Sequence, residues 1–236
     1  MRFQDQEKKK AVTFSYDDGV TQDIRMVEML NKYGLKSTFN INSGLLGLSG
    51  TLERNGQRIS HYKVHPEDVR SIYEGHEIAA HTLTHPRLPD MDEAGIIRQA
   101  EEDRLKLSEL AGYEVVGMAY PGGGVNCDER VASIIKEHTG ILYARTIVHT
   151  DSMDRQEDLY RFNPNLHHTQ FDRLMEMGQK FIESTPDKPQ IFYIWGHSCE
   201  FDLYPERWEL FDEFCKKISG RDDVFYGTNK EVLLGD

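Results

Sequence analysis

The sequence has few of the features that indicate a membrane protein or a nucleic-acid-binding protein. No apolar run approaches the roughly 18 residues of a membrane-spanning helix, and the opening MRFQDQEKKK lacks the apolar core of a signal peptide. Lys and Arg number 28 against 40 Asp and Glu, and the net charge of -12 argues against a nucleic-acid partner. We therefore expect a cytoplasmic chain, or an extracellular one whose export signal was removed.

The cysteine and glycine patterns do not support a disulfide-rich, cysteine-zinc or nucleotide-binding protein. Cys127, Cys199 and Cys215 are odd in number, far apart and without CxxC spacing, so they predict neither a disulfide framework nor a cysteine zinc site. No glycine fingerprint of the dinucleotide or P-loop type follows the first apolar run. Dinucleotide-binding and nucleoside-triphosphatase functions therefore have no support.

Length and composition fit one domain. The chain has 236 residues, of which 38% are hydrophobic and 29% are charged, as in ordinary globular proteins. We predict a single catalytic domain over residues 1–236, with residues 1–10 as a flexible N-terminal extension.

Apolar runs alternate with amphipathic helical patterns along the chain. Seven runs suit strands: AVTFSY (11–16), STFNIN (37–42), HEIAAHT (76–82), VGMAYP (116–121), ILYARTI (141–147), IFYIWG (191–196) and VFYGT (224–228). This alternation predicts a parallel sheet with right-handed crossovers. Seven strands suit an open doubly wound sheet or a closed barrel, and periodicity does not choose between them.

Polar and titratable residues collect where the predicted strands end. In parallel α/β folds the carboxyl ends of the strands form the active-site face. The residues at these ends are Asp17 and Asp18, His81 and His85, the YPGGG turn, Arg145, and His197. We also expect the polar loop 148–165 to have a function, as long loops often do.

The segment HTLTH suggests a metal site. His81 and His85 have i, i+4 spacing, and one helical turn would place both imidazoles on one side. Asp18 would complete a three-residue set with open coordination positions, the pattern of a catalytic metal. The plainer interpretation is two ordinary polar histidines.

The segment DDG places two adjacent carboxylates at the end of a strand. If Asp18 binds a metal, the cation offsets its charge, and Asp17 is free to act as a general base. The alternative is a simple turn, since Asp and Gly both favour turns. His197, which follows the apolar IFYIW, is either a general acid or a buried structural histidine.

Together, TFSYDDG, HTLTH, YPGG and WGHS resemble the motifs of the polysaccharide deacetylase family, the NodB-homology domain of the carbohydrate esterases. DDG followed by HTxxH about 60 residues later, a Pro-Gly turn and a late apolar-x-His is specific to that family. The resemblance covers about residues 11–230. It implies an incomplete (β/α)7 barrel and metal-dependent removal of acetyl groups from sugars.

The resemblance also implies roles for individual residues. Asp17 would be the base and His197 the acid. Asp18, His81 and His85 would hold a divalent metal, usually zinc. The Gly122 N–H would help to hold the oxyanion, with Tyr120 and Trp195 beside the substrate, an acetylated sugar or oligosaccharide.

The third and fourth motifs depart from the family pattern. Ala119 stands where the family commonly has an Arg, Gly122 stands where it has a Tyr, and DSMD (151–154) lacks the Trp of the fourth motif. We predict that Arg145 approaches Asp17 from the neighbouring strand and replaces the lost Arg. The alternative is an exposed Arg145 paired with an acidic residue of loop 151–158.

Two other functions remain open at this point. One is hydrolysis of a non-carbohydrate amide or cyclic amide on the same scaffold, with or without a metal. The other is a non-catalytic, sugar-binding relative, which the loss of Asp17 or a metal ligand would have favoured.

Overall fold

The seven predicted runs all become strands of one sheet. The computed structural model describes residues 8–54 and 56–235. Its strands are β1 (Lys10–Asp17), β2 (Ser37–Ile41), β3 (Thr51–Arg54), β4 (Gln57–Ser60), β5 (Glu77–Ala80), β6 (Gly117–Ala119), β7 (Tyr143–Arg145), β8 (Leu166–His167), β9 (Gln190–Gly196) and β10 (Val224–Tyr226).

The sheet is an incomplete parallel barrel with the strand order β7-β6-β5-β2-β1-β9-β8, which confirms the predicted fold. Two details differ from the expected strands. The last predicted strand, β10, lies off this row and pairs with the first residues of β1. The seventh place in the row belongs to β8, whose two residues form no apolar run that could have predicted it.

Helices connect the strands on the outside of the barrel. They are α1 (Asp23–Lys32), α2 (Val69–Ile72), α3 (Glu93–Ala111), α4 (Glu129–His138), α5 (Phe171–Glu183), α6 (Glu206–Ile218) and α7 (Asn229–Leu233). The cap residues explain their limits. The Asp92 side chain accepts a hydrogen bond from the Gly95 N–H at the start of α3, and Gly112 ends that helix in the left-handed conformation.

The main core lies between the sheet and these helices. Strand β1 is buried along its whole length, as expected for a central parallel strand. Its Phe14 packs edge-to-face against Phe211 and Phe214 of α6, with ring centroids 6.0 and 6.5 Å apart. This packing fixes β1, and therefore the two carboxylates at its end.

Residues 146–165 connect the two edge strands of the open barrel, β7 and β8. Phe162 lies beside β7, where its N–H donates to the Ala144 carbonyl and its own carbonyl accepts from the Thr146 N–H. A hairpin of β3 and β4, which the sequence analysis did not predict, follows β2.

The predicted N-terminal extension falls mainly on residues 1–7, outside the described part of the chain, and Lys10 is already the first residue of β1. Within the described ranges, no helix has the length and apolar character needed to cross a membrane.

Candidate active site

The carboxyl ends of the parallel strands surround a cavity of about 720 Å³, which we call the strand-end cavity. Its lining contains eight of the nine residues singled out from the sequence: Asp17, Asp18, His81, His85, Tyr120, Gly122, Trp195 and His197. The ninth, Arg145, is fully buried behind Asp17. The parallel topology thus brings together residues that are far apart in the chain.

Asp17 and Asp18 both face this cavity because the chain turns between them. Asp17 is the last residue of β1, whereas Asp18 has a φ of 86°. Side chains alternate along a regular strand, and this left-handed residue breaks the alternation. A positive φ costs a non-glycine residue on the order of 1–3 kcal/mol, and such strain is concentrated at functional sites.

Asp17 is held by an ion pair and an amide. Nη2 of Arg145 donates to both carboxylate oxygens at 2.6 and 2.5 Å, and Nδ2 of Asn40 donates to Oδ1 at 2.8 Å. Burial alone would raise the pKa of Asp17, but the Arg145 guanidinium, with a smaller contribution from the nearby imidazoles, lowers it below its usual value. Asp17 is therefore a carboxylate at neutral pH.

Arg145 makes the contact expected from the sequence, and it is fixed on every side. Its Nε donates to Ser15 Oγ at 3.2 Å, and its Nη1 donates to the Thr146 carbonyl at 3.0 Å. The guanidinium stacks on the Trp195 ring, 4.6 Å from the ring centroid. Within the described part of the chain, no acidic residue of loop 151–158 forms an ion pair or a hydrogen bond with it.

The three expected metal ligands converge. Oδ1 of Asp18 lies 3.9 Å from Nε2 of His81 and 3.8 Å from Nε2 of His85. Bonds of about 2.0–2.1 Å in a tetrahedral zinc site place ligand atoms about 3.4 Å apart. A shift of a few tenths of an ångström would therefore bring these atoms to ligand spacing.

The protonation of His81 also suits a metal. Its Nδ1 lies 2.8 Å from the Ala119 carbonyl, which can only accept a proton, so Nδ1 carries the hydrogen. Nε2 then has a free lone pair, and this buried atom has no hydrogen-bond partner within the described residues. Burial lowers the pKa of His81 to about 4, which keeps the imidazole neutral, as a ligand must be.

The backbone that carries these histidines differs from the prediction. HTLTH is not a helical turn but an irregular bend, in which Thr82 and His85 have φ values of 67° and 59°. Nδ2 of Asn42 supports the bend by donating to the carbonyls of His81 and Thr82. Asp18, Thr82 and His85 are the only non-glycine residues with positive φ between residues 8 and 235, residue 55 excepted.

Two residues from the segment after β4 approach Asp18, and sequence reasoning missed both. Nε2 of His61 lies 3.0 Å from Oδ2 of Asp18, and Nζ of Lys63 lies 3.5 Å from Oδ1. Burial would raise the pKa of Asp18, but these two partners and the nearby His197 and His81 hold it well below its usual value.

Sequence reasoning also missed Glu200, whose carboxylate lies close to three histidines at the cavity. Oε2 of Glu200 lies 3.5 Å from Nδ1 of His197 and 3.1 Å from Nε2 of His167, and Nε2 of His168 lies 3.1 Å from the same oxygen. Oε1 pairs with Nη1 of Arg54 at 3.1 Å. Burial would raise the pKa of Glu200, but the three histidines lower it far below its usual value.

Glu200 in turn controls His197. Burial would lower the pKa of His197, but the Glu200 carboxylate, together with the charges of Asp18 and Asp17, raises it to about 9. His197 is therefore a protonated imidazolium at neutral pH and can give a proton. The i, i+3 spacing of His197 and Glu200 in HSCE was the available sequence signal.

The expected oxyanion and substrate residues lie at the cavity wall. Gly122 has a φ of 89°, and nothing lies within 4 Å of the position that a Cβ would occupy. The Tyr120 hydroxyl donates to the Tyr160 carbonyl and is therefore already occupied. The Trp195 indole N–H donates to His149 at 3.0 Å, so its ring is the part left for other contacts.

The segment DSMD (151–154) lies outside the strand-end cavity. Its residues line a separate cavity of about 830 Å³ beside α5, where Asp151 pairs with Arg173. That cavity contains none of the converging histidines. This segment therefore takes no part in the strand-end cavity.

One family model matches this chain. The family model described as polysaccharide deacetylase matches residues 4–140, which include DDG, HTLTH and the PGG turn but end before Arg145 and His197. A comparison with curated proteins found no match.

Three solved structures resemble the fold. A candidate polysaccharide deacetylase from Mycobacterium smegmatis matches with a TM-score of 0.68 and 18% identity over 98% of this chain and 91% of its own. The Streptococcus pyogenes deacetylase PplD, solved with acetate, matches with a TM-score of 0.55 and 17% identity over 69% of this chain. The match covers 66% of the PplD chain, just under two thirds of its length. The allantoinase Puue matches with a TM-score of 0.69 and 13% identity over 95% of this chain and 88% of its own.

Proposed function

Since the chain belongs to the polysaccharide deacetylase family, we propose that it is a metal-dependent hydrolase that removes acetyl groups from an acetylated carbohydrate. The observation that carries the proposal is the strand-end cavity. There, a paired carboxylate, a three-residue metal-ligand set and an imidazolium face one another.

Asp18, His81 and His85 would hold the metal. Two imidazoles and one carboxylate suit zinc and leave coordination positions open. The free lone pair on the buried Nε2 of His81 supports this assignment. When bound, the metal would polarise the acetyl carbonyl and make a water molecule more acidic.

Asp17 would take the proton from the attacking water. It is ionised, and Arg145 and Asn40 fix the orientation of its carboxylate. Arg145 is a positioning residue in this scheme, because it acts through Asp17. It supplies from β7 the partner that Ala119 cannot supply from β6.

His197 would give a proton to the departing amine or alkoxide. Glu200 holds it as an imidazolium, so that a proton is available at neutral pH. The Gly122 N–H would donate to the oxyanion of the tetrahedral intermediate. The open space around Gly122 leaves room for a sugar ring where a larger residue would intrude.

A second candidate is hydrolysis of a non-carbohydrate amide without a metal. Lys63 favours it, because its buried ammonium lies 3.5 Å from the Asp18 carboxylate and already offsets its charge. The Lys63 Nζ also donates to the Asp18 carbonyl at 2.7 Å. The likeness to an allantoinase makes a cyclic amide the natural substrate to test.

One experiment separates these candidates. The purified chain is stripped of metal and given N-acetylated and O-acetylated mono- and oligosaccharides, or allantoin, each with and without added zinc. We expect acetate release from a sugar only when zinc is present. Metal-independent opening of allantoin would support the second candidate, and sugar binding without any hydrolysis would indicate a non-catalytic relative.

A further inference from the structure

Beside the Asp18 ligand set, the strand-end cavity contains a second convergence of ligand atoms. Nε2 of His167 and Nδ1 of His197 lie 3.1 and 3.5 Å from the same oxygen, Oε2 of Glu200. All three ligand atoms lie within 4.8 Å of one another. Tetrahedral zinc places ligand atoms about 3.4 Å apart, so two of the three separations already fit.

We propose that His167, His197 and Glu200, the Glu200 cluster, form a second divalent metal site, and that a metal ion bound there inhibits the enzyme. The cluster shares no residue with the set of Asp18, His81 and His85. Two imidazoles and one carboxylate again form a three-residue set with open positions.

The surroundings of the Glu200 cluster match those of ligands that bind metals in proteins. Metal-bound histidines usually form a hydrogen bond through their other ring nitrogen, and bound carboxylates are themselves hydrogen-bonded. Nδ1 of His167 lies 2.7 Å from Thr169 Oγ1. Glu200 has the Arg54 guanidinium on Oε1 and Nε2 of His168 beside Oε2.

One ligand atom of the Glu200 cluster also lacks a partner. Nδ1 of His197 is buried and forms no hydrogen bond with any described residue, and it lies 3.5 Å from Oε2 of Glu200. The three residues line the strand-end cavity, which provides a path for an ion to enter. The cluster thus combines suitable donors, supporting contacts, an unsatisfied atom and access.

The inhibitory effect follows from the role of His197 and rests on the proposed function, whereas metal binding by the cluster does not. A metal ion on Nδ1 takes the place of the proton there. The ring is then no longer an imidazolium, and it cannot act as an acid for the leaving group. Zinc would therefore activate at the Asp18 set and inhibit at the Glu200 cluster.

The test counts zinc bound to the full-length chain after metal removal, by calorimetric titration and by elemental analysis after dialysis. We expect two equivalents for the unchanged chain and one for His167→Gln. His85→Ala should lose the other equivalent and keep the one at the Glu200 cluster. His138→Gln, which changes an exposed histidine of α4 outside the cavity, is the matched control and should bind two.

A single equivalent in the unchanged chain overturns the proposal, and this result does not depend on how any variant folds. A second equivalent that His167→Gln retains also overturns it, because that ion would be adventitious.

Acetate release at increasing zinc tests the inhibition separately. We expect activity to rise with the first equivalent and to fall by about 10²-fold with the second. The fall should be absent in His167→Gln. If the chain binds two equivalents of zinc but its activity does not fall, the inhibitory role is wrong, although the second metal site exists. If no substrate is hydrolysed, the proposed function fails, while zinc stoichiometry still decides whether the second site exists.

Discussion

Replacing Arg145 by Met tests how the general base is positioned. The substitution keeps much of the side-chain volume but removes both contacts to Asp17, at 2.6 and 2.5 Å. Unit charges 2.6 Å apart attract by about 6 kcal/mol at an effective dielectric constant near 20. At about 1.4 kcal/mol per pKa unit this is an upper bound of about 4 to 5 units.

The expected change is smaller, because Asn40 and the charge of His197 still favour the ionised carboxylate. An arginine beside an aspartate typically lowers its pKa by about 1–3 units. The acidic limb of kcat/KM should therefore move to higher pH by about 1–3 units in Arg145→Met. Arg145→Lys, which keeps the charge without the forked geometry, should move it less.

Stability gives an independent measurement of the same contact. A buried carboxylate left without its partner costs about 3–5 kcal/mol, which urea unfolding at neutral pH should detect. In Arg145→Met the folded-state pKa of Asp17 is raised above its unfolded value. The deficit relative to the unchanged chain should therefore be full above that raised pKa and should shrink as pH falls through it. It should disappear only below the folded-state pKa of Asp17 in the unchanged chain, which is lower than the usual value for Asp.

The control is the double substitution Asp17→Asn/Arg145→Met, which removes both charges and should recover part of the lost stability. If Arg145→Met left both the acidic limb and the unfolding free energy unchanged, Arg145 would not orient Asp17, and our account of the base would be wrong.

Three further predictions concern the metal and the proton carriers. His81→Ala or His85→Ala should abolish metal binding at the Asp18 set. Elemental analysis should be made on each variant combined with His167→Gln, which removes the Glu200 cluster as a second site. Full occupancy in these variants would place the metal elsewhere. Asp17→Asn should keep the metal yet lower kcat by about 10²-fold or more; equal metal loss in Asp17→Asn and Asp18→Asn would refute their different roles. Glu200→Gln should lower the pKa of His197 from about 9. Activity is lost on the alkaline limb of kcat as His197 deprotonates, so this limb should move to lower pH by about 1–2 units. An unmoved limb would show that Glu200 does not keep His197 protonated.

The alternation of strands and helices could be predicted because its signals are local and repeated, whereas the incomplete barrel was implied by the resemblance to the family. Each buried strand has its own apolar run, each major helix has its own apolar face, and parallel strands bring their carboxyl ends to one side. The meeting of Asp17, His81 and His197 follows from that topology. Even the contact between Arg145 and Asp17 could be predicted, because β7 lies next to β6, where the family's Arg would be.

The missed features depend on local geometry that periodicity does not reveal. The β3–β4 hairpin is polar and short, and the Asn-Gly pair at positions 55–56 was its only sequence signal. His61 and Lys63 reach Asp18 because the segment after this hairpin pairs with Val20. HTLTH suggested one helical turn because i, i+4 spacing fits a helix, but the positive φ values of Thr82 and His85 exclude that.

Glu200 was missed for another reason. It lies three residues after His197, in a tight turn where its own N–H donates to the His197 carbonyl at 3.0 Å. An acidic residue at that spacing is common at the surface, and only the fold shows that three histidines and Arg54 converge on its carboxylate.

The most direct test of the proposed function is acetate release during zinc titration of the metal-free chain, with an N-acetylated chito-oligosaccharide as the first substrate and an O-acetylated oligosaccharide in parallel. The account predicts no acetate without metal, a rate that reaches its maximum at one zinc per chain, and a maximum lower by about 10²-fold or more in Asp17→Asn, although that variant binds the same zinc. Full acetate release from the metal-free chain, or equal release by Asp17→Asn, would contradict it.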